Sequence, residues 1–84
     1  MTHEEFIPQQ GRSVVYQIAE NVWRPAQIVE VWTEEGPRTC NLVVFLDGSN
    51  DKVHGFDGLD GSLTYWATSR VLGDAVGQYL PRKP

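Results

Sequence analysis

Two apolar runs constrain this chain more than any other feature: RPAQIVEVW over residues 24–32 and CNLVVFL over residues 40–46, with Glu34-Glu35-Gly36-Pro37 between them. Both are rich in β-branched and aromatic residues, and both are short for a helix. The segment joining them holds Gly, which supplies positive φ, and Pro, which ends a strand. The pattern predicts a hairpin whose second strand is central and apolar on both faces.

The rest of the chain extends the same theme. Residues 13–18 alternate Val14, Tyr16 and Ile18 against Ser13, Val15 and Gln17, the mark of a strand with one buried face. Pro25 pushes Arg24 into an extended conformation, so residues 19–24 read as a loop that feeds the second strand. Asp47-Gly48-Ser49-Asn50-Asp51 is the densest turn signal, Lys52 to Gly55 is weak, and Phe56 to Gly61 carries two Asp-Gly dipeptides and reads as a loop. Strand character returns over residues 63–69. Residues 1–12 read as an N-terminal arm from which Phe6 and Ile7 could tuck against the domain. Residues 70–84, with Gly73, Gly77, Pro81 and Pro84, read as an irregular tail with a short helical turn near residues 72–76. Turn-separated short strands without an amphipathic helix predict an all-β fold, a small SH3-like barrel of four to five short antiparallel strands spanning residues 13–69.

Composition excludes several function classes. The chain has 84 residues, enough for one domain that buries about 60–65% of its unfolded surface, and 40% hydrophobic against 21% charged residues is the balance of a folding sequence. No apolar run approaches the roughly 18 residues of a membrane span, and the Met-Thr-His-Glu-Glu start is acidic where a signal peptide is basic. A cytoplasmic location and no membrane partner are expected. The lone Cys40 has no partner for an internal disulfide and, with His3 and His54, does not make a structural zinc site. A formal net charge of −4 argues against duplex nucleic acid, which needs cations to replace counterions.

Chemistry-bearing patterns are sparse. Asp47, Ser49 and Asp51 alternate like the first ligands of a calcium loop. However, the sixth position is Lys52 in place of Gly and the twelfth is Gly58 in place of a bidentate Glu, so a self-capped turn is the simpler reading. Asp57 and Asp60 read as turn residues. No Ser or Cys stands in a nucleophile setting, and no glycine opens a helix as a phosphate loop requires. A non-enzymatic protein with no cofactor is expected.

The aromatics are the more informative group. Trp23, Trp32, Trp66, Tyr16, Tyr65, Phe45 and Phe56 are many for so small a core, and the neighbours Tyr65 and Trp66 must face opposite sides of a strand. A ring left outside beside Arg24 or Arg70 suits a protein groove or a stacked base; a ring kept inside plugs the barrel end. The candidate binding set is Trp23, Arg24, Trp32, Asp47, Asn50, Asp51, Tyr65, Trp66 and Arg70.

The segments RPAQIVEVW, NLVVF (residues 41–45) and DGSND (residues 47–51), with GRSVVY at residues 11–16, together resemble a family of small proteins encoded by tailed bacteriophages. The resemblance covers residues 11–69. The family's Trp-His-Trp-Pro type ending is replaced here by Tyr79-Leu80-Pro81. It implies a phage origin, a small β-barrel and a location in the host cytoplasm or the virion. Three functions fit: an accessory binding protein acting on a host protein or defence factor, a connector or tail component, and an oligomer that sequesters a nucleotide-type small ligand. The partner is a host or phage protein in the first two.

Overall fold

A computed structural model describes residues 6–32, 38–55 and 63–83. The predicted turn at Glu34 to Pro37, the Phe56 to Gly61 loop with Asp57 and Asp60, and His3 lie outside the described residues. The chain is all-β: β1 (Ser13–Ala19), β2 (Val22–Trp32), β3 (Thr39–Phe45), β4 (Thr64–Arg70) and β5 (Tyr79–Leu80), with a 3₁₀ helix, Gly48–His54, between β3 and β4. The strands form one sheet in the order β4-β3-β2-β1-β5, with every strand pairing antiparallel. This is the order of a small SH3-like barrel, as the spacing of strands and turns predicts. No helix among the described residues is long and apolar enough to cross a membrane.

The first reversal is tighter than the sequence suggests. Ala19 pairs with Val22, so Glu20 and Asn21 alone turn the chain, and β2 begins before the loop expected over residues 19–24 would have ended. Asn21 sits at φ +60°, a left-handed conformation that Asn tolerates, and its amide donates to Gln17 Oε1 at 2.7 Å. That bond explains why polar Gln17 is buried beside Tyr16 and Ile18. Pro25 is accepted within β2 because the ladder to β3 starts one residue later, at Ala26 opposite Val44.

The barrel boundaries extend past both expected ends. In the stretch read as a tail, Tyr79 and Leu80 form β5 on β1, pairing Tyr16 with Tyr79 and Val15 with Leu80, and both side chains are buried. Tyr79 also bonds the chain that follows β4: its amide donates to the Val71 carbonyl at 3.3 Å and its carbonyl accepts from Gly73 N–H at 2.9 Å. The sheet therefore closes through β5. In the stretch read as an arm, Phe6 is buried edge-on against Tyr79, with centroids 6.2 Å apart, while Ile7 stays exposed. Gly11 N–H donates to Ile28 O and Ile28 N–H to Arg12 O, tying that segment along β2.

The core is Phe6, Val14, Tyr16, Ile18, Ala26, Ile28, Cys40, Leu42, Val44, Ala67 and Tyr79. One face of each strand supplies it, by the two-residue period of extended chain. Cys40 belongs to this packing: Tyr79 Oη donates to the Arg38 carbonyl at 2.6 Å and lies 3.3 Å from Cys40 Sγ. Burial raises the pKa values of both the Cys40 thiol and the Tyr79 hydroxyl, so Cys40 is held as an inert thiol.

Candidate binding face

The same period that buries Leu42 and Val44 turns Val43 and Phe45 outward. Register then assembles a surface: Gln27, Val43 and Trp66 stand in one cross-strand row, and Phe45 opposite Thr64 forms the next. Phe45 and Trp66 are thus diagonal neighbours on the outer face of β3 and β4. They are 41% and 52% exposed, high values for rings of this size. Trp23 and exposed Pro25 carry the face across β2, and an open cleft of about 340 Å³ runs between Trp23, Arg24, Pro25, Phe45, Leu46 and Asp47. A volume at the low end for ligand sites, open to solvent, suits an inserted side chain better than an enclosed small molecule.

Arg24 and Asp51 underlie that cleft. Arg24 Nε donates to Asp51 Oδ2 at 3.0 Å and NH2 to Oδ1 at 2.6 Å, a bidentate pair, while NH1 donates to the Trp23 carbonyl at 2.9 Å. Asp51 Oδ2 also accepts the Asp47 amide at 2.7 Å, pinning the start of the 3₁₀ helix to β2. The Asp51 carboxyl is held below the usual Asp range, first by the Arg24 hydrogen bond and against the opposing effect of burial; Arg24 is raised by the same bond.

The candidate residues separate into distinct places. Trp23, Arg24 and Asp47 line the cleft and Trp66 flanks it along the sheet. Asp51 is fully buried with its carboxylate engaged, so it supports the surface without being part of it. Asn50 is exposed and donates from Nδ2 to Asp47 Oδ2 at 3.2 Å, with its amide bonded to the Asp47 carbonyl, while the Asp47 side chain makes no cap hydrogen bond to the 3₁₀ helix. Trp32 lies further along β2, half-buried, its Nε1 donating to Asn41 Oδ1 at 2.8 Å. Tyr65 and Arg70 turn to the other side of β4, against Tyr16. Among the described residues no group of three or more His, Cys, Asp or Glu is placed to hold a metal ion.

Pro25, Val43 and Phe45 are absent from the candidate set, although for Val43 and Phe45 the run CNLVVFL contained the signal. A strand apolar on both faces must present half of its side chains away from the core it serves. Comparison with family models, curated proteins and solved structures finds no match to this chain.

Proposed function

We propose that this chain is a non-enzymatic bacteriophage accessory binding protein that acts by occupancy on a protein of the infected host, such as a defence factor. The observation that carries this reading is the face formed by exposed Trp66, Phe45 and Pro25 with half-buried Trp23 beside an open cleft. Aromatic rings on a rigid sheet bury large area at small entropic cost, which is why such residues anchor protein interfaces. Exposed contiguous apolar surface on a small domain has a cost in solubility that a partner relieves. The resemblance to phage-encoded proteins supplies the cellular setting.

The test is affinity capture of the tagged chain from infected host lysate, run beside mass spectrometry of purified phage particles. Stoichiometric recovery of one host protein, with the chain missing from particles, is the expected result. A fixed copy number in particles and no host protein recovered would replace this reading with that of a virion component.

A further inference from the structure

The charged side chains in the cleft wall, Arg24 and Asp47, are not equivalent. Each nitrogen of the Arg24 guanidinium already donates, Nε and NH2 to the Asp51 carboxylate and NH1 to the Trp23 carbonyl. Its charge is matched by a carboxylate with no solvent exposure, so Arg24 has little left to offer an anion. Asp47 is exposed. Its amide is held by Asp51 Oδ2 at 2.7 Å, and its own Oδ2 accepts from Asn50 Nδ2 at 3.2 Å, which uses one of the about four lone-pair sites of a carboxylate. All seven Lys and Arg of the chain lie among the described residues, and none of them forms an ion pair with Asp47. One cation against two carboxylates leaves the cleft negative.

The rest of the wall is Trp23, Pro25, Phe45 and Leu46. Aromatic rings beside an accessible carboxylate favour a cation, which is attracted by the ring faces and by the carboxylate together. Among protein cations guanidinium suits such a wall best, because it is planar, less strongly hydrated than ammonium, stacks on rings and donates to a carboxylate through two N–H groups. The formal net charge of −4 adds a long-range attraction for a basic partner. We propose that the cleft receives an arginine side chain of the partner protein, its guanidinium against Trp23 and Phe45 and hydrogen-bonded to the Asp47 carboxylate. This rests on the reading of the aromatic face as a protein-binding surface and names the chemistry of the partner, a basic segment with an arginine anchor. Asp51 acts as a positioning residue, since it fixes both the Arg24 guanidinium and the backbone of Asp47.

The test titrates ¹⁵N-labelled full-length protein with the capped tripeptide Gly-Arg-Gly, with its lysine counterpart, and with its citrulline counterpart, which has nearly the same shape and no charge, all at constant ionic strength. The indole cross-peak of Trp23 is the reporter, and that of Trp32, whose Nε1 is bonded to Asn41, is the internal reference. A saturable Trp23 shift with the arginine peptide, weaker binding of the lysine peptide and no binding of the citrulline peptide are the expected results. Asp47→Asn keeps an oxygen for Asn50 and removes the charge; it is expected to weaken arginine binding about two- to fivefold, the range of an exposed ion pair. Asp74→Asn, at an exposed acid outside the cleft wall, removes the same net charge and is expected to bind like wild type. No saturable response to the arginine peptide, equal affinity for the citrulline or lysine peptide, or unaltered binding by Asp47→Asn would overturn the assignment, even with a host protein captured through the aromatic face. Arginine binding at Trp23 with no host protein recovered from lysate would support the cleft assignment and overturn the host partner instead.

Discussion

Arg24 and Asp51, 27 positions apart, join β2 to the 3₁₀ helix through two parallel hydrogen bonds of 3.0 and 2.6 Å. Asp51 exposes none of its side chain and Arg24 about a fifth, so the pair is partly shielded from water. Asp51→Asn leaves that guanidinium without its counter-charge and weakens the bond from Asp47 N–H. A loss of about 2–3 kcal/mol is expected, below the full figure for a buried pair because Arg24 retains some solvent. Urea unfolding measures it. The double substitution Arg24→Met with Asp51→Leu is expected to recover part of the loss, since the cost arises from the unpaired charge.

The same pair sets a pH dependence. The Asp51 carboxyl is lowered in the folded chain, whereas an unfolded Asp titrates near 3.9. Its contribution is therefore complete above the unfolded value, declines as pH falls below it, and is gone once pH has passed through the folded value. The difference in urea midpoint between wild type and Asp51→Asn is expected to be constant from about pH 7 to 5 and to shrink as pH falls from about 4 toward 2.

Truncation tests the extended barrel boundary. Deleting residues 78–84 removes Tyr79 and Leu80, both fully buried, together with the strand that closes the sheet onto β1. Losing a buried Leu or aromatic ring costs about 3–5 kcal/mol each, against a total stability of about 5–15 kcal/mol for a small domain. The truncated chain is expected to lack a cooperative thermal transition, whereas deletion of residues 82–84 leaves it intact.

The packing of Arg70 against Tyr16 can be probed through two glycines with the same backbone angle. Gly11 and Gly77 both sit at φ +86°, but a Cβ at Gly11 meets open space while one at Gly77 crowds Arg70 NH1. Each alanine substitution costs about 1–2 kcal/mol for the left-handed conformation. Gly77→Ala is expected to lower the thermal midpoint further than Gly11→Ala, and the difference isolates the Arg70 contact.

Much of the barrel is legible in the chain. The alternation at Ser13 to Ile18 and the apolar run at Cys40 to Leu46 locate β1 and β3 to within a residue, because burial of one strand face leaves a period in the sequence. β5 has only Tyr79 and Leu80, set between Gly77 and Pro81, and a two-residue strand has no period to detect. Phe6 and Ile7 both read as able to tuck against the domain, but only the structure separates them, because the burial of Phe6 depends on Tyr79, 73 positions away, while Ile7 stays exposed. The aromatic face is half legible: the sequence requires Tyr65 and Trp66 to diverge, but only the register of β3 against β4 places Trp66 beside Phe45. The Arg24–Asp51 pair has no local signal, and only the structure separates Arg24, which lines the cleft, from Asp51, which is buried and supports it from below.

The most direct test of the aromatic face compares wild type with Phe45→Ser/Trp66→Ser in quantitative affinity capture from infected host lysate, with Val76→Ser as a control at another exposed apolar position. Because both rings stand on the outer face of the sheet and outside the core cluster, the double variant is expected to keep its unfolding free energy within about 1 kcal/mol of wild type. Recovery of the partner is expected to fall about tenfold or more, as loss of interface anchors requires, while Val76→Ser captures it normally. Equal recovery by wild type and the double variant, with both folded, would contradict a role for this face in binding.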